Sequence, residues 1–296
     1  MAVPRAVVLG CGPTEIKFMT DDVHLFWRAF DLFIQDTTLN PFVDYYNSGS
    51  VAIKDILRFE PNAAQTMKNT VRRELSHYLA VRHNIQLIDR YKSEVDAYFK
   101  NFRAIYSHAE FPPVHFVVGK LNSGGTVTQN GIIIGLEMFG DSLAVKNRPQ
   151  TIRMEDLPVV IATCLVFYNQ KPAHTGYTLL RQAIVHGAAD FLATLIVGEK
   201  KQLILERPHY KYGDAHEETL VREFLRQRDE TDFSGWFYYG NPSGRPADLA
   251  FWIGYKITES YYTSARDKTK AIDDILKIND FEKFLLLSGY AEPFRN

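Results

Sequence analysis

Thr163-Cys164-Leu165-Val166-Phe167 lies inside a segment, residues 159–168, that is apolar on nearly every side. A helix without a polar stripe has no face to turn to water, so this one reads as buried all round. Asp156 marks its start, and Pro158 sits in the first turn, where a backbone N–H has no helical partner to lose. A second segment of the same kind, residues 178–197, holds His186-Gly187-Ala188-Ala189-Asp190-Phe191. Two such helices need a surrounding layer, and the rest of the chain is read for it.

Toward the N-terminus, Thr20-Asp21-Asp22 is a helix start, with a capping residue followed by acids in the first turn. Val23, Phe26, Trp27, Phe30 and Phe33 then recur at helical spacing. Residues 64–105 read as two long amphipathic helices broken near His83-Asn84, and Glu110-Phe111-Pro112-Pro113 closes that region. The pattern then changes. Val114-His115-Phe116-Val117-Val118-Gly119 reads as a strand, Asn122-Ser123-Gly124-Gly125 as a turn, and Ile132-Ile133-Ile134 as a second strand. Beyond the apolar pair, helices are expected at 217–228, 247–262, 268–276 and 281–288, with a loop rich in Gly, Pro and aromatics at 235–246. No repeat or linker divides the chain. The expectation is one domain over residues 1–296, mainly α with a small β-sheet (α+β). Its helical N-terminal part covers about 20–110, its sheet about 114–135 and its core helices about 156–290.

Composition narrows the function. The 34 basic and 35 acidic side chains leave a net charge of -1. They form no basic stripe of the kind nucleic acid selects, and clusters such as Arg72-Arg73-Glu74 read as a solvated helix face. Two cysteines, Cys11 and Cys164, far apart, make no disulfide scaffold. No stretch reaches the roughly 20 apolar residues of a membrane span. Val8-Leu9-Gly10-Cys11 has the form of a lipoprotein cleavage box, but the apolar run before Cys11 is too short for an export signal. It reads as a short strand or tail of a cytoplasmic protein.

Several stretches, in order, carry a resemblance: residues 111–119, Asn122-Ser123-Gly124-Gly125-Thr126, Ile134-Gly135-Leu136-Glu137-Met138-Phe139, Gly187-Ala188-Ala189-Asp190-Phe191, Arg245-Pro246-Ala247-Asp248-Leu249, Ile253-Gly254-Tyr255-Lys256-Ile257, Tyr261-Tyr262 and Ser288-Gly289-Tyr290. From about Thr20 to Tyr290 the chain resembles the bacterial zinc-dependent proteases related to gliding-motility lipoproteins. The resemblance implies a zincin-like scaffold. In that family one helix carries HExxH, in which two histidines grip Zn²⁺ and the glutamate acts as general base on the metal-bound water. A second helix carries Glu-Gly-x-Ala-Asp-Phe, whose glutamate the resemblance makes the third ligand.

Here Thr163 and Phe167 stand at the histidine positions, Cys164 at the general base and His186 at the third ligand. A catalytic zinc needs three protein ligands, which this set does not provide. No metal and no cofactor are therefore expected, and the family's peptidase activity is not carried over.

What remains is weighed residue by residue. His186 and Asp190 are i and i+4 on one helix, so Asp190 could orient His186. With Cys164 on the facing helix they could form a nucleophile, base and orienter set. The plainer alternative makes Cys164 a small core residue and His186 a satisfied interior histidine. A third reading has His186 acting alone as acid or base. By the resemblance, Gly124, Gly125 and Thr126 would form the strand bordering the cleft, where such peptidases pair with substrate backbone; alternatively they form a simple hairpin turn. The resemblance turns Tyr255 or Tyr262 to the cleft; Tyr261 and Tyr262 could equally be core with wet hydroxyls. His174, His209 and His216 read as surface residues.

Two functions compete. In the first, Thr163, Phe167 and His186 line a mostly apolar pocket, and a metal-independent, repurposed enzyme acts there on a small organic molecule. In the second, the chain is a pseudopeptidase that binds a peptide or partner protein without chemistry.

Overall fold

The computed structural model describes residues 16–57, 60–140, 151–172, 176–237 and 244–294. Val8-Leu9-Gly10-Cys11 and His174 lie outside them. Helix α1 (Asp21–Gln35) turns Val23, Phe26, Phe30 and Phe33 inward, as their spacing requires. Thr20 makes no capping bond with its side chain. Asp22 instead ties the helix to the next element, accepting from the Ser50 N–H at 2.9 Å and its hydroxyl at 2.6 Å.

Helices α2 (Phe42–Ser48), α3 (Val51–Leu57), α4 (Ala63–Arg73) and α5 (Leu75–Val81) follow, then a 3-10 segment, Arg82–Tyr91, and α6 (Lys92–Ile105). The two long helices expected over 64–105 are thus three shorter ones with a tighter-wound stretch between them. Asn84 accounts for the break. It is buried and donates its amide to the carbonyls of Leu136 and Phe139, so the backbone there is held to another segment.

The sheet has order β1-β2-β4-β3, with β1 (Phe18–Met19), β2 (Val114–Val117), β3 (Thr126–Thr128) and β4 (Gly131–Gly135). β1 pairs with β2 and β2 with β4 in parallel, while β3 returns antiparallel to β4. β2 and β4 are buried throughout, which is why they read as unbroken apolar runs. β1 was not foreseen as a strand, since two residues carry too little pattern, and β3 begins at Thr126, the last residue of the stretch the resemblance made a strand. Gly131 closes the β3–β4 hairpin at φ +145°, where a Cβ would lie 2.5 Å from the Pro113 carbonyl oxygen.

The C-terminal half packs around the apolar pair, now α7 (Leu157–Asn169) and α8 (Leu179–Val197). Short helices α9 (Gln202–Leu205), α10 (Pro208–Ala215) and α11 (Glu217–Gln227) lead to α12 (Leu249–Ser264), α13 (Lys268–Leu276) and α14 (Phe281–Ser288). Helix α8 lies between α7 and α12. It crosses α12 glycine against glycine: a Cβ on Gly187 would sit 2.0 Å from the Tyr255 nitrogen, and one on Gly254 1.7 Å from the Ala183 oxygen. By length and composition, residues 179–205 could cross a membrane, contrary to the expectation that no stretch approaches that length; 72% of their most apolar window is buried inside the fold. The apolar surface is used for packing.

Candidate functional site

Helix α7 presents Cys164 and Phe167 to two different neighbours. Cys164 turns to the sheet. A Cβ on Gly125 would lie 2.8 Å from its Sγ and 2.9 Å from Val160, so β3 rests directly on α7 because residue 125 has no side chain. Burial, with the charge of Asp190 second, pushes the Cys164 thiol up to about 12. At neutral pH it stays a thiol, which is the inert form.

Phe167 turns to α8. Its ring meets the His186 imidazole edge-on at 5.0 Å, and Phe237 and Phe251 close the other sides at 5.3 and 4.6 Å. Burial, and then the charge of Arg181, push His186 down to about 4. Among the described residues its Nδ1 has no hydrogen-bond partner, nor has the Thr163 hydroxyl. Three phenylalanine rings around this half-buried imidazole disfavour its cation.

Asp190 is not the partner of His186 that their spacing suggested. It is fully buried, and its carboxylate accepts from Arg207 at 3.1 and 3.2 Å and from the Tyr210 hydroxyl at 3.0 Å. Arg207 and Tyr210 lie at the start of α10, so the i, i+4 relation lost to a charged donor from another element. The remaining aromatics gather here. Tyr255 packs on Phe191 and Tyr210 at 5.5 and 5.4 Å, and Tyr262 packs on Phe191 at 5.2 Å. The structure thus brings Phe167 to His186, Cys164 to Gly125, and Asp190 to Tyr210 beside Tyr255. Gly124 packs against Ile152, and Thr126 is exposed at the sheet edge.

His209 is corrected as well. It packs against Tyr210 and Phe251 at 4.9 and 5.9 Å, and burial, then the nearby Arg207 charge, push it down to about 3. His216 is exposed, as expected, stacked on Tyr212 at 4.0 Å. Among the described residues, no group of three or more His, Cys, Asp or Glu side chains is placed to share a metal ion.

One polar site escaped the sequence reading. Glu137 is only 1% exposed. Its Oε1 accepts the Leu121 N–H at 3.3 Å, and Leu121 adopts φ +64°, a left-handed conformation unusual for leucine. A Cβ on Gly119 would meet Oε1 at 2.7 Å and one on Gly135 would meet Oε2 at 3.1 Å, so both glycines make room for the carboxylate. The available signal was one acid in the apolar run Ile132-Ile133-Ile134-Gly135-Leu136-Glu137-Met138.

No curated protein and no solved structure matches the chain. One family model does, described as gliding motility protein GldB, over residues 21–206. That span takes in β2, β3 and β4, the Glu137 turn, α7 and α8, well over half of the 296 residues. The chain belongs to the gliding motility protein GldB family.

Proposed function

We propose that this chain is a zincin-like, non-catalytic member of its family, which binds an extended segment of a partner protein along β3. The observation that carries the reading is the state of its reactive groups. Cys164 is held protonated, His186 is held neutral, and Asp190 is committed to Arg207 and Tyr210. A thiol is a poor nucleophile, an imidazole whose cation is this disfavoured is a weak base, and Asp190 is engaged elsewhere. The small-molecule enzyme expected first is supported less well, because the ring positions around His186 are taken by Phe167, Phe237 and Phe251.

The binding edge follows from strand geometry. The Ile132 N–H bonds to the Pro113 oxygen at 3.0 Å, so Ile132 faces β2. Its cross-strand partner Val127 then belongs to a non-bonded pair, and its own N–H and C=O point away from β4. Among the described residues no backbone group bonds to them. An edge of this kind accepts an added strand.

Peptides selected from a display library against the intact chain test the reading. Val127→Pro, which removes the outward N–H, should weaken them by at least about tenfold, the value of one well-made backbone hydrogen bond or more. His186→Ala should leave their affinity within about threefold and should reveal no cleavage. Equal binding to Val127→Pro, or turnover lost in His186→Ala, would overturn it.

A further inference from the structure

On the face of the sheet opposite α7 lies a small cleft of about 70 Å³ that opens to solvent. We propose that it binds an organic ammonium ion through the Glu137 carboxylate. This goes beyond the edge-strand reading and does not depend on it.

The argument begins with charge. Glu137, Lys120 and Glu60 all line the cleft, and Lys120 is ion-paired with Glu60. That pair cancels, which leaves the ionised Glu137 as the net charge of the site. Its Oε2 is buried and, among the described residues, has no hydrogen-bond partner. A buried carboxylate oxygen without a donor is costly to keep, and an N–H donor from outside would remove that cost. The turn that carries the site is built around the acid. Leu121 is held in the left-handed region while its N–H is given to Oε1. Tyr45 and Tyr78 fix the same turn by donating their hydroxyls to the carbonyls of Val118 and Gly119, at 3.0 and 2.8 Å. Strain of this kind persists where the surroundings over-determine it.

The rest of the wall defines the ligand. Ile56, Val117 and Ile133 give an apolar flank. A positive head beside Glu137 and a short alkyl body along that flank satisfy both parts. An anion is excluded by Glu137 itself. A divalent metal is disfavoured because the only other carboxylate, Glu60, is taken by Lys120. Burial pushes the Glu137 carboxyl up to about 7, against the opposing pull of the Gly119, Glu137 and Leu121 N–H groups. The other ionisable groups around it are Tyr45 and Tyr46 of α2, Tyr78 of α5, Lys120 with its partner Glu60, and His77 of α5, whose Nε2 is bonded to the Glu137 backbone oxygen at 2.7 Å. Burial raises all three tyrosines and lowers Lys120. A bound cation favours the ionised carboxylate.

The test is ¹³C NMR of the Glu137 carboxyl in the full chain, titrated with n-butylammonium. The resonance should shift to saturation, and its titration midpoint should fall by about one pH unit, as for an acid gaining an adjacent positive charge. By calorimetry, Glu137→Gln should weaken butylammonium at least about tenfold. Ile56→Trp, which fills the apolar flank and leaves Glu137 in place, should do the same and serves if the first variant does not fold. An unmoved or non-saturating resonance, or the same response to n-butanol or to calcium ion, would overturn the proposal.

Discussion

At the scale of the residue, His186 and Glu137 show burial shifting two groups in opposite senses. His186 is lowered to about 4 from 6.5, so between those values the unfolded chain takes up a proton that the folded chain refuses. Its contribution therefore falls as the pH drops through that window. Glu137 is raised from 4.5 to about 7, so the folded chain keeps a proton that the unfolded chain has released. That contribution is present below 4.5 and is lost as the pH rises through about 7. Urea unfolding at a series of pH values between 5 and 6 separates them. His186→Phe should make the rise of stability with pH shallower by about one proton, and Glu137→Gln should make it steeper by about one proton. Identical slopes in wild type and both variants would show that neither group is shifted. The identities at 163, 164, 167 and 186 were legible in the sequence, and so was the fact that they do not make a zinc-ligand set. The partner of Asp190 was not, because Arg207 and Tyr210 come from another helix and no local spacing encodes them. Glu137 was overlooked because burial makes it unusual, and an apolar run shows burial without showing what surrounds the acid.

Between elements, two contacts hold the candidate site in place. The first is the glycine crossing of α8 and α12. Gly254→Ala would put a methyl 1.7 Å from the Ala183 oxygen, where the atom it meets is backbone and cannot swing aside. The helices must separate, so the cost should exceed the usual 1–3 kcal/mol or so of an overpacked core, read as a fall in the midpoint of chemical denaturation. A variant within about 0.5 kcal/mol of wild type would mean that the helices do not approach this closely. The second contact is the Asp190–Arg207 pair, with side-chain exposures of 1% and 28%. Asp190→Asn leaves a largely buried guanidinium without its counter-charge and should cost about 3 kcal/mol. Arg207→Met in the same chain should restore part of that loss. A double variant no better than the single one would show that the cost lies elsewhere, in Tyr210 for instance. The sequence made α1, α7, α8 and α12 legible because their apolar patterns are long. It did not show α2, α3, α9 and α10, whose lengths run from four to eight residues, too few for a period to stand out.

For the whole molecule, a chain of the GldB family whose residues 163, 164, 167 and 186 make no zinc-ligand set is expected to be stable without metal. Thr163 and Phe167 supply no zinc ligand of useful strength, so chelators should leave the melting temperature within about one degree, since only a ligand bound to the native state raises it. Elemental analysis finding about one zinc per chain, lost together with stability on chelation, would contradict that. The most direct measurement is backbone amide exchange of the intact chain with and without a display-selected peptide, followed by mass analysis of the peptide. Slowed exchange is expected at Val127, whose outward N–H has no backbone partner among the described residues, together with a peptide recovered uncleaved. Protection confined to α7 and α8 around His186, or a cleaved peptide, would contradict it.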